Sequence, residues 1–321
     1  MSVYTAVSDN DFATLVESYA LGKFIAAEGI KDGIENTNYF IQTSKGEFVF
    51  TLFESLDTKA LSLYIRLLET LSQNHFPCPA PCANPQGEII GEYHSRPFIF
   101  ATRLNGKPPQ QVNHSHIRAI ATALAQLHST RFSFSATQQA QLQNRRGNTW
   151  REEVAQKIRP MLDNRQAELL EAELKLYRQL DTTTLPCGII HADLFQDNAL
   201  FQGDTLCGVI DFYDACYAPY IYDIAITLNA WCSNKEGVLD RTYEKTFLEA
   251  YQSVRPLSSA EQTALPIMLR MAATRFWLSR LEALQDRRPG EITQVKDPAE
   301  YQAILKAHIQ QQTAEQKMIC Y

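Results

Sequence analysis

The sequence predicts an α+β chain in two parts, a small antiparallel-sheet lobe followed by a mainly helical lobe. Three observations lead there. Between residues 36 and 101, short β-branched and aromatic runs alternate with turn residues and enclose one helical stretch. The segment Thr102-Arg-Leu-Asn-Gly-Lys-Pro-Pro then interrupts every periodicity. From residue 114 onward, apolar residues recur at helical spacing over long stretches. The expected division is an N-terminal lobe of residues 1–101, a linker of residues 102–107 and a helical lobe of residues 108–321.

In order, residues 8–28 read as an opening helix, with Ser8 as cap and Leu15, Tyr19 and Phe24 at rough helical spacing. The next segment, from Glu28 to Phe53, reads as strand, glycine-containing turn, strand, hairpin at Lys45-Gly46, strand. Leu61, Tyr64, Leu67, Leu68 and Leu71 make residues 58–74 an amphipathic helix. A proline-rich connector from Pro77 to Pro85 leads to strands at Glu88–Tyr93 and Arg96–Ala101. In the second part, helices are expected over 114–129, over 149–180 with a break near Pro160, and over Tyr220–Cys232, 240–254 and 260–285. Asp297-Pro298 reads as a cap with proline in the first turn of a final helix.

Composition narrows the function. The 321 residues are 45% apolar, enough for a sizeable core in each lobe, and the net charge of −6 argues against nucleic acid or an anionic membrane as the main partner. No apolar run approaches the roughly 20 residues of a membrane helix. Asp9, Asp11 and Glu17 near the start do not fit a signal peptide. Seven cysteines, an odd number, fit free thiols in a reducing cytoplasm. His75, Cys78 and Cys82 cluster among prolines without a second Cys/His pair, which argues against zinc. No motif speaks to oligomeric state.

Chemistry concentrates between Gly188 and Phe212. Two apolar runs, Ile189–Ile190 and Leu206–Ile210, each deliver an acid at their ends, and between them Ala199-Leu-Phe followed by Gly203-Asp204 reads as a hairpin. Asp193 precedes Asn198 by five positions and Asp211 follows the hairpin. This layout resembles the catalytic loop and metal site of protein kinases. Hard oxygen ligands for magnesium are supplied by Asp211 and the Asn198 amide oxygen, and a carboxylate to orient and deprotonate an attacking hydroxyl by Asp193. His191 is read as a packed, hydrogen-bonded support for the loop backbone, and Asp197 as solvated. Gly33 and the small polar run Asn36, Thr37 and Asn38 would let backbone N–H groups approach phosphates.

Further segments widen the resemblance. Gly33-Ile-Glu-Asn-Thr-Asn-Tyr-Phe, Phe48-Val-Phe-Thr-Leu-Phe-Glu, His191-Ala-Asp-Leu-Phe-Gln-Asp-Asn-Ala-Leu-Phe and Asp211-Phe-Tyr-Asp-Ala-Cys resemble the aminoglycoside phosphotransferase and choline kinase superfamily. Tyr222-Asp-Ile-Ala-Ile-Thr-Leu-Asn-Ala-Trp-Cys, Arg275-Phe-Trp-Leu-Ser-Arg-Leu and Lys296-Asp-Pro-Ala-Glu-Tyr resemble, within it, the bacterial homoserine kinases of this fold. The likeness runs from about Gly33 to about Arg280. It implies a bilobal protein-kinase-like fold, ATP and Mg2+ as cofactors, and phosphorylation of the side-chain hydroxyl of L-homoserine. Adenine would sit between the lobes, bonded to backbone near Ala101 and Thr102. Most relatives carry a Lys or Arg on the third strand, where this chain has Thr51, and helix 58–74 offers only Glu69 near its end. Loop N–H groups, magnesium, Lys45 and Lys59 are the candidates to balance phosphate charge.

A zwitterionic substrate needs a cation for its carboxylate and an acid for its ammonium. Arg275 is the first choice for the carboxylate and Arg280 the second, because a guanidinium binds carboxylate bidentately. Asp214 or Asp223 would meet the ammonium, and Asp223 fits equally as a buried brace for the catalytic loop. Trp277 fits the core or a wall of the substrate site. Two alternatives stand beside homoserine: another small hydroxyl compound (an amino alcohol, an aminoglycoside or a sugar), and a non-catalytic nucleotide-binding scaffold motivated by Thr51.

Overall fold

The computed structural model describes residues 5–30, 36–286 and 296–319, with side chains as far as residue 314. Gly33 lies outside the described residues. By contact clustering the chain forms two compact units, residues 1–107 with 200–202 and 207–210, and residues 108–199 with 203–206 and 211–321.

The first unit begins with α1 (Asp9–Ser18), capped by the Ser8 side chain on the Asp11 N–H as expected. The helix ends ten residues earlier than the expected 28. Ala20 and Gly22 take positive φ values of 53° and 101°, and the chain turns into β1 (Phe24–Gly29). Phe24 sits at helical spacing but joins the sheet, where its ring stacks on Phe12 at 5.9 Å. Strands β2 (Asn36–Thr43) and β3 (Gly46–Phe53) form the expected hairpin. Helix α2 (Thr58–Gln73), capped by Asp57, buries all five of the apolar positions that announced it. With β4 (Gly91–Tyr93) and β5 (Arg96–Thr102) the antiparallel sheet has the order β1-β2-β3-β5-β4. Period-2 alternation decides its faces. Tyr39, Ile41, Phe50, Leu52, Phe98 and Phe100 face α1 and close an aromatic core with Phe12, Val16 and Tyr19, while Asn38 and Thr51 point to the opposite face.

In the second unit α3 (His114–Ser129) is followed by α4 (Ala136–Gln141), which sequence reading did not anticipate. The expected break near Pro160 is a 3-10 turn at Arg159–Met161 between α5 (Asn148–Ile158) and α6 (Asn164–Arg178). Strand β6 (Cys187–Ile190) runs into the loop of Asp193. The following β7 (Ala199–Gln202) and β8 (Thr205–Val209), whose residues 200–202 and 207–209 count with the first unit, form the expected hairpin, with Gly203 at φ 57°. A strand absent from the sequence reading, β9 (Cys216–Pro219), pairs with β6. Helix α7 (Tyr220–Cys232) is apolar on all sides and accordingly buried nearly throughout. Helix α8 (Arg241–Gln252) packs on α3, and α9 (Ser259–Gln285) packs against α5, α6, α7 and α10 (Pro298–Ile319). None of the described helices is long and apolar enough to cross a membrane.

Candidate active site

The loop after β6 is held by α7. The Asp223 carboxylate, on the first turn of α7, is fully buried and accepts the His191 N–H at 2.7 Å and the Ala192 N–H at 2.8 Å. Burial alone would raise its pKa, but the hydrogen bond from His128 and the backbone bonds overcome this and hold the carboxyl below the usual range, so it is ionised. His128, on α3, gives its Nε2–H to Asp223 at 3.1 Å, while its Nδ1 lies 2.7 Å from the Tyr251 hydroxyl. Burial lowers the His128 pKa, so the ring is neutral, with Nε2 protonated and Nδ1 accepting from Tyr251. Arg255 extends the chain of bonds, reaching the Tyr251 oxygen at 3.1 Å and Glu261 at 2.9 Å. Asp223 is therefore the loop's brace, with no free edge for a substrate ammonium.

His191 occupies the supporting position expected of it. It is fully buried, its Nδ1 accepts the Asp193 N–H at 3.3 Å, and its ring lies 4.7 Å from that of Phe212. Ala192 takes φ 66°, a left-handed conformation that costs a side-chain-bearing residue about 1–2 kcal/mol. Asp193 follows. The Asn198 amide donates to its carbonyl at 2.8 Å and to its carboxylate at 3.2 Å. The Asp193 side chain keeps 27% of its surface, so the carboxylate is walled by protein yet open on one side. Burial raises its pKa against the opposing pull of Arg275, which strengthens it as a proton acceptor.

Asp211 is exposed and left-handed (φ 63°, ψ 62°) at the head of a 3-10 turn, Phe212–Asp214. That turn touches the loop through Phe212 on His191, and its Asp214 carboxylate lies 3.6 Å from Arg275 Nη2 on α9. Among the described residues no three His, Cys, Asp or Glu side chains cluster as a metal site. Magnesium does not require one, since it is commonly bound by one or two protein groups plus waters and substrate phosphates. Asn198 and Asp211 fit that demand. The Asn198 NH2 is committed to Asp193, so its side-chain oxygen is the atom left for a cation, and Asp211 supplies an exposed carboxylate.

Besides Asp223, the residues expected to bind substrate, Arg275, Trp277 and Arg280 on α9 and Asp214 in the 3-10 turn, are distributed as follows. Arg275 is buried, donates to the Ala192 carbonyl at 2.7 Å, lies over the Phe276 ring at 3.9 Å and stands 3.7 Å from Asp193. A substrate carboxylate approaching it would meet two carboxylates already present. Arg280 instead joins α9 to the start of α10, donating to the Asp297 carbonyl at 2.6 Å and to Glu300 at 2.7 Å over the Tyr301 ring. Trp277 is 1% exposed and belongs to the core. Asp214, with 38% of its side chain exposed, is the acid that remains accessible. Asp197, read as solvated, pairs with Lys296 at 2.6 Å on the surface.

In the first unit the residues expected near the nucleotide make these contacts. Thr51 gives its hydroxyl to the Asn38 side-chain oxygen at 2.8 Å, and the Asn38 amide donates to the Asn36 carbonyl at 3.3 Å. Thr37 faces the other way, fully buried, with its hydroxyl on Glu54 at 2.7 Å. At the end of β5, the Thr102 N–H is used by the Ala80 carbonyl at 2.9 Å, and Ala101 pairs with Val49 and bridges Pro81. The Thr102 N–H and the Ala101 ladder position are thus used within the unit. Lys45 donates to the Ala20 carbonyl at 3.0 Å.

His128, Tyr251 and Arg255 were missed at the level of sequence. His128 does follow Leu124 by one helical repeat on the apolar face of its helix, the single hint of a buried partner.

Comparison with known proteins gives the family. Residues 26–257 match the model of the phosphotransferase enzyme family known as APH. A homoserine kinase of Methylobacillus flagellatus is 42% identical over 309 residues, covering 96% of each chain. A homoserine kinase of Janthinobacterium sp. (strain Marseille) is 38% identical over 318 residues, covering 98% of each. Among solved structures, a spectinomycin phosphotransferase in complex with ADP and spectinomycin superposes with a TM-score of 0.69 at 13% identity, over 94% of this chain and 95% of the other. An amicoumacin kinase in complex with AMP-PNP superposes with a TM-score of 0.65 at 16% identity, over 92% and 91%. A braced aspartate loop, the asparagine five residues on, the aspartate after the hairpin and a matching family model over most of the chain lead to one conclusion: this chain belongs to the phosphotransferase enzyme family and has its protein-kinase-like fold.

Proposed function

We propose that this chain transfers the γ-phosphoryl group of ATP to the side-chain hydroxyl of L-homoserine, in the cytoplasm, as a step toward threonine. The observation that carries the reaction type is Asp193, a carboxylate whose proton affinity is raised by burial and whose position is fixed by Asn198 and a strained, doubly bonded neighbour. The acceptor is supported by the near full-length similarity to homoserine kinases.

Asp193 accepts a hydrogen bond from the attacking hydroxyl, aims its lone pair and takes its proton as the P–O bond forms. Asp214, acidic and accessible, suits the substrate's ammonium group. Asn198 and Asp211 would hold magnesium, which when bound offsets charge on the phosphates. Thr51, whose hydroxyl is bonded to Asn38, stands where most members of the resembling superfamily carry a strand Lys or Arg.

A coupled ADP-release assay over hydroxyl amino acids, amino alcohols, aminoglycosides and sugars tests the reading. The expected result is the highest kcat/KM on L-homoserine, dependent on magnesium. Highest turnover on choline or an aminoglycoside would overturn the acceptor, and no turnover on any alcohol would overturn the reaction.

A further inference from the structure

Ala192 is held at both ends. Its N–H is bonded to Asp223 and its carbonyl to Arg275, and between those two bonds it takes φ 66° with only 4% of its surface exposed. The next residue is Asp193. We infer that Arg275 is a positioning residue, whose grip on the Ala192 carbonyl keeps that peptide left-handed and so aims the Asp193 carboxylate, and not a ligand for the substrate's carboxylate. The inference rests on the proposed role of Asp193 but not on homoserine as the acceptor.

The distances separate the two roles. The carbonyl contact, at 2.7 Å, is a charge-assisted hydrogen bond, whereas Asp193 and Asp214 lie 3.7 and 3.6 Å away, beyond hydrogen-bonding range. The carbonyl is thus the partner that orients the guanidinium. One face of that group is covered by Phe276, which packs in turn on Phe195 and Tyr301 with ring centroids 4.7 and 5.1 Å away. Only 4% of the Arg275 side chain is exposed, and the edges nearest the loop look onto two carboxylates. An incoming anion would be repelled there. A backbone carbonyl, which carries no charge and lies in the loop itself, is the partner this setting favours.

The role predicts an unusual rescue. Glycine adopts the left-handed region without the steric penalty that alanine meets, so a loop that needs Arg275 to keep residue 192 left-handed needs it less once that residue is glycine. The variants are R275Q, A192G and the double variant, with wild type and A192G as references. R275Q is expected to lower kcat about a hundredfold, the scale of a misplaced reactive group. Its KM for the acceptor should move less than about threefold. The double variant should recover about tenfold of the loss, the equivalent of relieved left-handed strain. Amide exchange at residues 191–194, measured without substrates, should speed up in R275Q and slow again in the double variant. Should R275Q not fold, R275K carries the same readouts. A rise in acceptor KM with kcat preserved, or a double variant no better than R275Q in both rate and exchange, would overturn the inference. If wild type ignores homoserine, the acceptor reading fails while the exchange experiment still decides the role of Arg275.

Discussion

The strand pair Thr51–Asn38 and the loop around Asp193 are tied by family resemblance to one reaction, yet they are built in opposite ways. The strand pair is neutral and local, joined by a bond between residues 13 apart that already face each other in the β2–β3 ladder. The loop is charged, and the bonds that shape it reach 31, 32 and 83 residues along the chain, to Asp223 and Arg275. A ladder fixes its members through many backbone bonds, so losing one hydroxyl changes little. A left-handed loop has no ladder beneath it. Its geometry is only as good as the few buried charged groups that hold it. Removing Asp223 leaves buried N–H donors unpaired, while removing Arg275 leaves a buried carbonyl unpaired.

The largest effect that follows is on chemistry. Asp193→Asn should lower kcat by about a hundredfold or more while nucleotide binding by calorimetry stays near wild type. A rate near wild type would remove Asp193 from the role of base. Next comes the brace: Asp223→Ala should destabilise the chain by about 3 kcal/mol in urea unfolding, because two backbone N–H groups and His128 lose their acceptor. A smaller loss would mean that water replaces the carboxylate and that the loop is less dependent on α7 than its bonds indicate.

The two aspartates should also differ in how pH acts on stability. Asp223 has a depressed folded-state pKa, so its contribution is present above the ordinary value of 3.8 and is lost as pH falls below it. Asp193 has a raised one, so it favours the folded state fully below 3.8 and penalises it as pH rises through the folded-state value. Asp193→Asn should therefore raise the Tm at pH 7, with the difference closing on acidification below the folded-state pKa of Asp193. A Tm lowered at pH 7 would show that the attraction of Arg275 outweighs burial.

Asn198→Ala should lower kcat about tenfold or more and raise the magnesium concentration needed for half-maximal rate, since it removes both the support of Asp193 and the oxygen proposed to hold magnesium. A change in rate without a change in magnesium dependence would confine Asn198 to support. The smallest effect belongs to the strand. Thr51→Val should cost about 1 kcal/mol of stability and leave kcat within about twofold, given a neutral hydrogen bond in an intact ladder. A large loss of activity there would end the contrast between the two regions.

Much of the fold follows from local patterns. Ser8 and Asp57 cap their helices, the apolar positions of α2 and α3 are buried, the hairpin at Lys45-Gly46 forms, and α7 begins and ends at Tyr220 and Cys232 as read. The exceptions are segments whose local preference is ambiguous. Phe24–Gly29 carries helical spacing but becomes a strand because β2 offers it an open edge, and Cys216–Pro219 is too short to announce itself until β6 supplies a partner.

The candidate catalytic set could be named from sequence for a similar reason. Asp193, Asn198 and Asp211 stand at a fixed spacing around one turn and one hairpin, so short-range sequence encodes their relation. Sequence alone could name Arg275, Arg280, Trp277 and Asp223 as candidates, but not assign them. Each lies on a helix whose facing depends on packing against other helices, and a helix presents side chains in every direction. Tertiary packing turned Arg275 onto the Ala192 carbonyl, sent Arg280 to the start of α10, closed Trp277 into the core and set Asp223 beneath the loop. Burial then raised the proton affinity of Asp193 while hydrogen bonds held Asp223 ionised, because both effects act only once the surrounding chain has folded.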